Sequence, residues 1–397
     1  MSLSSCVRFM LVGFFGVSAA ASLLFVDPAE AIPAFARKYR FSCTTCHAPA
    51  PRLKAFGEEF AGRGFRLEDP AQEPARATLD VGDPLLQLPR DLQLAVRLEG
   101  FASWKEEREA ETDFETPWVF KILSGGPIHD NLSYYFYFLV ERGEVVGLED
   151  AYLQIGSPFG IPVDVLFGQF QVCDPLFKRE VRLSREDYHI YKARVGKSIV
   201  NLTYDRGVVV GGALPGEIDA VLQVVNGNGI HEADEHHDFD EDANKNVSLR
   251  FARAIGPVRV GAFGYYGKQS IDPQENETIY YGPDVLFDDG GPIAVSAQYL
   301  ERVDDDPRFS GSDDDEWTTR GGFLEVHWFP EGQDGRWVLT ALYNQIERDD
   351  DDPAADLQIG SLTVSRLLAR NFRLLGEGAY DAEAERGRFT IGLVAAF

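Results

Sequence analysis

The chain has 397 residues and a formal net charge of −26, with 38 Lys and Arg against 64 Asp and Glu. No basic face can be assembled from this balance, so nucleic-acid binding is excluded. Aromatic residues make up 12% of the chain, including 28 Phe and 15 Tyr, whereas Met occurs only twice. The length fits either two or three ordinary domains or one very large β-structure.

Residues 1–31 have the pattern of a secretory signal peptide. Arg8 supplies the positive charge, residues 9–26 are an apolar run, and Ala29-Glu30-Ala31 is a small-x-small cleavage site. The alternative is a retained membrane anchor, because the apolar run approaches the length of a spanning helix. In either case the rest of the chain leaves the cytoplasm.

Cleavage would make the mature chain begin near Ile32. It would remove Cys6 and both methionines, at positions 1 and 10. The mature chain would then contain three cysteines, Cys43, Cys46 and Cys173, and no methionine.

The segment FSCTTCHAPA, residues 41–50, contains the pattern Cys-x-x-Cys-His at Cys43, Cys46 and His47. Covalent haem c requires two thiols at this spacing for the two vinyl groups and an adjacent imidazole for the iron. An exported protein is a suitable context for this chemistry. The sequence therefore predicts one covalent haem c, tethered by Cys43 and Cys46, with His47 as the proximal iron ligand.

Three other interpretations of this motif compete with haem. A zinc site would need a second pair of ligands at suitable spacing, and the other His and Cys are scattered singly. A thioredoxin-like redox motif would need a βαβ context, which the flanking sequence does not supply. A disulfide between the two cysteines gives no reason for His47.

The flanks of the motif resemble the haem-binding head of bacterial outer-membrane cytochrome-porin fusions, known from iron-oxidising bacteria. In that family a Pro-x-Phe-Ala-Arg segment precedes Cys-x-x-Cys-His, and Pro-x-Leu-x-x-Phe-Gly-x-x-Phe follows it. The matching positions outside the haem motif are Pro33, Phe35, Ala36, Arg37, Pro51, Leu53, Phe56, Gly57 and Phe60.

The spacing of Leu53, Phe56 and Phe60 places them on one apolar face of a short helix, which could cover a porphyrin or belong to a small core. Residues 32–84 are predicted to be a haem c plug. A unit of this size seldom folds alone, so the plug is expected to lean on the domain that follows.

Residues 90–397 are predicted to form a 16-stranded antiparallel outer-membrane β-barrel, with the first strand over 91–103 and the last over 387–397. Hydrophobic and polar residues alternate, with Leu94 and Leu98 opposite Arg97 and Glu99 for example. Alternation alone also fits a soluble sandwich. Aromatic residues near strand ends, charged residues on the second face and the terminal Phe397 favour the barrel.

An even number of strands returns the C-terminus to the periplasm, beside the plug. The dense acidic runs then fall in alternate connections, which are predicted to be extracellular: 105–115, 231–246, 304–316 and 348–353. The intervening turns, such as PFGIP at 158–162, are mostly short. The predicted location is the cell outer membrane, with lipid around the barrel.

Residues 167–216 resemble the corresponding stretch of phosphate-selective-type porins, in which a Gly-Gln-Phe strand end precedes a long loop and an Asp-Arg-x-x-Gly strand resumes. Here those positions are Gly168, Gln169, Phe170, Asp205, Arg206 and Gly211, the last displaced by one residue. The segment VVNGNG at 224–229 is similar as well. The resemblance implies that the third outer loop, residues 172 to about 203, folds into the lumen.

The distal ligand of the haem iron is left open by the sequence. The mature chain offers His129, His189, His231, His236, His237, His327 or Cys173, or the position is vacant. His189 is favoured because the inward loop carries it, and His327 because it faces the predicted lumen. Each also fits an ordinary lumen or loop residue.

The acidic loop around Glu232, Glu235, His236, His237 and Asp238 has side chains that bind divalent ions. Runs of charge are usually solvated, and acidic outer loops also contact the divalent ions of lipopolysaccharide. Such charge would in any case raise the local concentration of Fe²⁺ at the mouth of the barrel.

The resemblance to the cytochrome-porin fusions implies electron transfer across the outer membrane, from extracellular Fe(II) to a periplasmic c-type cytochrome. An Fe(II):cytochrome c oxidoreductase activity would follow. The first alternative is a porin or ion transporter whose haem plug gates the pore or senses redox state. The second alternative is a soluble periplasmic cytochrome built on a β-sandwich.

Overall fold

The computed structural model describes residues 34–69, 78–79, 81–83, 85–86, 88–89, 93–106, 111–129, 131–240, 242–271, 273–311, 316–349 and 356–397. The predicted signal peptide, residues 1–31, lies outside the described residues. Within the described ranges, no α-helix is long and apolar enough to cross a bilayer.

Three short helices come first: α1 (Ala34–Tyr39), α2 (Cys43–Cys46) and α3 (Ala55–Gly62). A two-stranded antiparallel ladder follows, formed by β1 (Thr78–Leu79) and β2 (Leu88–Pro89).

Sixteen further strands form one closed antiparallel barrel in which each strand pairs with its neighbours in sequence and β18 pairs with β3. They are β3 (Leu94–Lys105), β4 (Thr112–Pro127), β5 (Leu132–Glu141), β6 (Glu144–Gly156), β7 (Val163–Gln171), β8 (Tyr204–Leu214), β9 (Ile218–Val225), β10 (Asn246–Ile255), β11 (Val258–Ile271), β12 (Gln274–Asp288), β13 (Ile293–Asp304), β14 (Trp317–Trp328), β15 (Trp337–Arg348), β16 (Leu357–Ala369), β17 (Phe372–Asp381) and β18 (Arg386–Ala396). The predicted barrel and its strand number are confirmed.

The barrel is apolar outside and polar inside, which excludes the soluble-sandwich alternative. On β14 the side chains of Leu324 and Trp328 are 46% and 49% exposed, whereas those of Glu325 and His327 between them are buried. A strand with this alternation fits a bilayer only when the barrel is closed, because every backbone group is then paired. The protein is therefore an outer-membrane β-barrel.

The pairing of β18 with β3, which closes the barrel, continues to Phe397. Phe397 exchanges two backbone hydrogen bonds with Val96, of 2.7 and 2.9 Å, and its ring is 51% exposed on the outer surface. Trp328 is exposed near the same end, whereas Trp104, Tyr266 and Tyr380 are exposed towards the other. Aromatic side chains at both ends of an apolar band are typical of barrels that sit between two membrane interfaces.

Residues 172–203, between β7 and β8, fill the lumen and are called the inward loop below. The loop includes two 3₁₀ turns, Arg179–Val181 and His189–Lys192. Its apolar residues pack with the inner wall, and Leu183, Ile190 and Leu202 have no exposed surface. The inward course expected for the third outer loop is thus found in the structure.

Candidate functional site: the Cys-x-x-Cys-His plug

Residues 34–69, called the plug below, lie at the end of the barrel that has the short turns. Gly62 accepts a hydrogen bond from Gln154 near the end of β6, and Arg66 donates 2.5 and 2.8 Å bonds to the carbonyls of His129 and Leu132. The long acidic connections lie at the opposite end. Because short turns face the periplasm in such barrels, the plug is on the periplasmic side.

Helix α2 contains the two cysteines in a single turn, so both side chains stay close to His47. Ser42 caps this turn through a 3.4 Å bond from the Thr44 amide, and the His47 amide donates to the Cys43 carbonyl at 2.9 Å. Neither cysteine is in a disulfide. Burial raises the pKa of Cys43, and it raises the pKa of Cys46 to about 11. Both thiols are therefore protonated at neutral pH in the absence of a bound group.

The imidazole of His47 has a fixed tautomer. Its Nδ1 lies 3.1 Å from the Pro51 carbonyl oxygen and 3.3 Å from that of Arg52. A carbonyl can only accept, so Nδ1 carries the proton and donates, and Nε2 keeps its lone pair. Burial lowers the pKa of His47, although the two carbonyls act in the opposite direction. A neutral ring with a free Nε2 is the form that binds a metal.

Helix α3 packs directly against the cysteine turn at Gly57. A Cβ atom at this position would lie 2.4 Å from the Cys46 carbonyl oxygen, closer than real contacts allow. Gly64 has a positive φ of 65°, and a Cβ there would lie 2.4 Å from Oγ of Ser133 on β5. The two glycines therefore let the plug pack against itself and against the barrel wall.

An aromatic cluster extends from helix α3 of the plug to the barrel wall. The rings of Phe56 and Phe60 are stacked with centroids 6.1 Å apart, and Phe41 meets Phe56 edge-on at 5.9 Å. Phe60 is buried, whereas Phe56 is 37% exposed. Phe65 continues the cluster to Tyr135 on the barrel wall, at 5.6 Å.

Two ion pairs join the segment that follows the Cys-x-x-Cys-His motif to the barrel. Arg52, whose carbonyl accepts from His47, pairs with Asp288 on β12 at 2.8 Å, and Lys54 pairs with Asp334 at 2.6 Å. Sequence reasoning missed both pairs, since the partners are 236 and 280 residues apart.

His189 and His327, the two favoured candidates for the distal ligand, both have hydrogen-bond partners outside the plug. His189 is on the inward loop, where Nε2 lies 2.5 Å from Glu186, and it lines a cavity at the opposite end of the barrel. His327 is on the wall at the periplasmic end, but Nδ1 lies 2.9 Å from Thr340 and Nε2 lies 3.1 Å from Glu325. Both rings are thus bound to side chains other than those of the plug.

The acidic loop has no metal-binding geometry among its described residues. Asp234 accepts hydrogen bonds from the amides of His236 and Asp238, so its carboxylate closes a turn. Within the described part of the chain, no group of three or more His, Cys, Asp or Glu is placed to hold a metal ion.

No protein-family model and no curated protein matches the sequence. Solved structures of porins match the fold. The anion-selective porin from Comamonas acidovorans is 10% identical with a TM-score of 0.56, and the match covers 77% of this chain and 99% of that one. A loop-deletion mutant of OmpT, an outer membrane protein of Vibrio cholerae, is 12% identical with the same TM-score and coverage.

Salmonella typhi OmpF, solved in complex with daunomycin, is 11% identical with a TM-score of 0.54, covering 77% of this chain and 97% of that one. At these identities the likeness is one of fold. The chain is a porin-like, 16-stranded outer-membrane β-barrel.

Proposed function

We propose that the protein carries electrons across the outer membrane through a single haem c held by the plug, from extracellular Fe(II) to a periplasmic c-type cytochrome. The observation that carries this proposal is the geometry of Cys43, Cys46 and His47. Two free thiols occupy one helical turn, and the adjacent imidazole has its Nδ1 proton committed to a carbonyl. Haem would supply one-electron chemistry there.

The surroundings of the motif support the same role. The partly exposed ring of Phe56 and its stack on Phe60 give an apolar surface on helix α3, which packs against the cysteine turn at Gly57, and such a surface suits a porphyrin plane. Burial of a haem in such surroundings controls solvent access and hence reduction potential. The plug is at the periplasmic mouth, where a soluble cytochrome can reach it.

The acidic outer connections support Fe(II) as the donor. Residues 304–306 and 313–316 are all acidic, as are 349–352. Negative charge of this density raises the local concentration of divalent cations.

A porin or transporter with a haem plug remains the second candidate, and the barrel fold favours it. Haem staining of the outer-membrane fraction, combined with an Fe(II) oxidation assay on whole cells, tests the proposal. We expect a stained band of about the mass of this chain and Fe(II) oxidation that depends on it. A band without Fe(II) oxidation would favour the porin candidate, and the absence of a band would reject the haem.

A further inference from the structure

A cavity of about 570 Å³ lies at the end of the barrel opposite the plug. It is lined by the last residue of β3, Lys105, by the β5–β6 hairpin at Arg142, and by Arg388 near the start of β18. Its floor is the inward loop, through residues 185–189. The cavity therefore opens towards the extracellular side, and its volume is that of a small-molecule site. We call it the vestibule.

The vestibule is rich in cations although the protein is strongly acidic. Five Lys or Arg and four Asp or Glu line it, together with His189. The cations are Lys105, Arg142, Arg185, Lys192 and Arg388, and the acids are Asp113, Glu115, Glu186 and Asp187.

Three of the four acids of the vestibule are engaged by hydrogen bonds, whereas Asp113 is 53% exposed and meets only Lys105, at 3.7 Å. Glu115 accepts from Lys105 at 2.6 Å and from Arg185 at 2.5 Å. Glu186 accepts from Arg388 at 2.6 Å and lies 2.5 Å from His189. Although burial alone would raise the pKa of Glu186, the bonds from His189 and Arg388 lower it to about 2.

Asp187 is engaged as well. It accepts from Arg179 and pairs with Arg182 and Lys192. Its carboxylate therefore offers no free binding position to a metal cation.

The cations have hydrogen-bond capacity left. Arg388 uses only Nη2, in bonds to Glu186 and Glu377, and its side chain is 28% exposed. Arg142 contacts Glu141 through Nε at 3.5 Å and is 60% exposed. Both guanidinium groups have unused N–H donors, and guanidinium binds carboxylate oxygens in pairs.

An aromatic wall completes the vestibule. The guanidinium groups of Arg142 and Arg185 stack on the ring of Trp118, at 4.9 and 4.3 Å from its centroid. Phe114 and Pro117 lie beside it. Stacking holds the planar guanidinium groups in a fixed orientation, and the apolar surface suits an organic ligand better than an inorganic one.

We infer that the vestibule is a binding site for an organic polycarboxylate, bound through Arg142 and Arg388 against the Trp118 wall. If the proposed function holds, on which this second step rests, Fe(II) concentrated at the mouth by the acidic connections is bound at this site through the polycarboxylate. An aquo cation would find Glu115, Glu186 and Asp187 already engaged by Lys and Arg side chains.

Titration calorimetry with citrate on the full-length haem-loaded protein in detergent tests the site. We expect saturable binding that weakens with ionic strength, and a loss of about tenfold or more in affinity for both Arg142→Gln and Arg388→Gln. Arg63→Gln, in the plug and 38% exposed, is the matched control and should bind as the parent does. Arg142 is a surface residue, so its variant keeps the test valid if Arg388→Gln does not fold.

Two competing ligands sharpen the test. Inorganic phosphate should bind more weakly than citrate, and Mn²⁺ added alone, without citrate, should show no binding at the vestibule. No citrate binding, equal binding by the parent and the Arg142→Gln protein, or tighter binding of phosphate would overturn the inference. Cys43→Ala separates the two proposals, because the site predicts unchanged citrate binding by this variant. Citrate binding without electron transfer in the haem-loaded protein would reject the proposed function and leave the site intact.

Discussion

The inward loop and the plug both occupy the barrel, but they are attached in different ways. The loop is fixed by buried groups. Arg302 of β13, with no exposed surface, bonds to the carbonyls of Ala193 and Val200 at 2.9 and 2.8 Å while paired with Asp304. The plug is joined through groups of mixed exposure: Arg52 and Asp288 are 13% and 21% exposed, whereas Asp334 is 70% exposed.

This difference in attachment indicates that the inward loop stabilises the barrel more than the plug does. A buried ion pair is costly to break, whereas an exposed one contributes little. The loop is thus part of the barrel's core. The plug is a small unit that needs the barrel mouth for support. Its candidate functional residues are Cys43, Cys46 and His47.

The largest effect is expected for Cys43→Ala or Cys46→Ala. Each removes one thioether, so covalent haem should be lost, while the barrel still assembles because its strands pair with each other. Haem staining of a denaturing gel measures the first outcome, and heat-modifiable migration of the band measures the second. Normal stain in both variants would reject the haem c interpretation.

Arg302→Gln should destabilise the inward loop by about 3–5 kcal/mol, because it leaves Asp304 buried without its cation. The measurement is limited proteolysis within residues 172–203, with Arg320→Gln, on an exposed side chain, as control. We expect cleavage of the loop and retention of haem. Loss of haem together with the loop would mean that the two regions are one unit.

A smaller effect is expected at Asp174, in the part of the inward loop next to the plug, where the stability of the loop should depend on pH. Burial raises its pKa to about 6, against the attraction of Lys178. A raised acid pKa stabilises the folded state below about pH 4, and this stabilisation is lost as the pH rises through 6. The rise in pKa from 3.8 to about 6 corresponds to about 3 kcal/mol of folding free energy.

Asp174→Asn should therefore match the parent at pH 4 and resist loop proteolysis better at pH 7. The comparison of cleavage rates at the two pH values is the measurement. An equal difference between the two proteins at both pH values would show that Asp174 does not titrate in this window.

The smallest effect is expected for Asp288→Asn, which removes the ion pair with Arg52. Partly exposed pairs contribute roughly 1 kcal/mol or less. Because the Arg52 carbonyl also accepts from His47, the variant should shift the haem's reduction potential slightly without loss of stain. Redox titration is the measurement, and Asp289→Asn is the neighbouring control. Complete release of haem would show that this pair holds the plug.

The sequence predicted the barrel well because alternation is local. The predicted number of sixteen strands is found, and His327 on β14 is buried inside the barrel as expected. Strand ends were less accurate: the first strand, predicted over 91–103, extends to Lys105, and the last, predicted over 387–397, is Arg386–Ala396.

The site was predictable only in part. Cys43, Cys46 and His47 are adjacent in sequence, so their grouping follows from local geometry. The partners of Arg52 and the position of His189 depend on contacts between distant strands, which no local pattern contains. The vestibule also escaped prediction, because its lining comes from four separate parts of the chain.

Electron transfer across a sealed membrane tests the central claim most directly. The purified haem-loaded protein is placed in liposomes that enclose an oxidised c-type cytochrome, and Fe(II) citrate is added outside. The account predicts reduction of the enclosed cytochrome by the parent protein and none by Cys43→Ala. Ion conductance through the parent barrel without reduction of the cytochrome would contradict it.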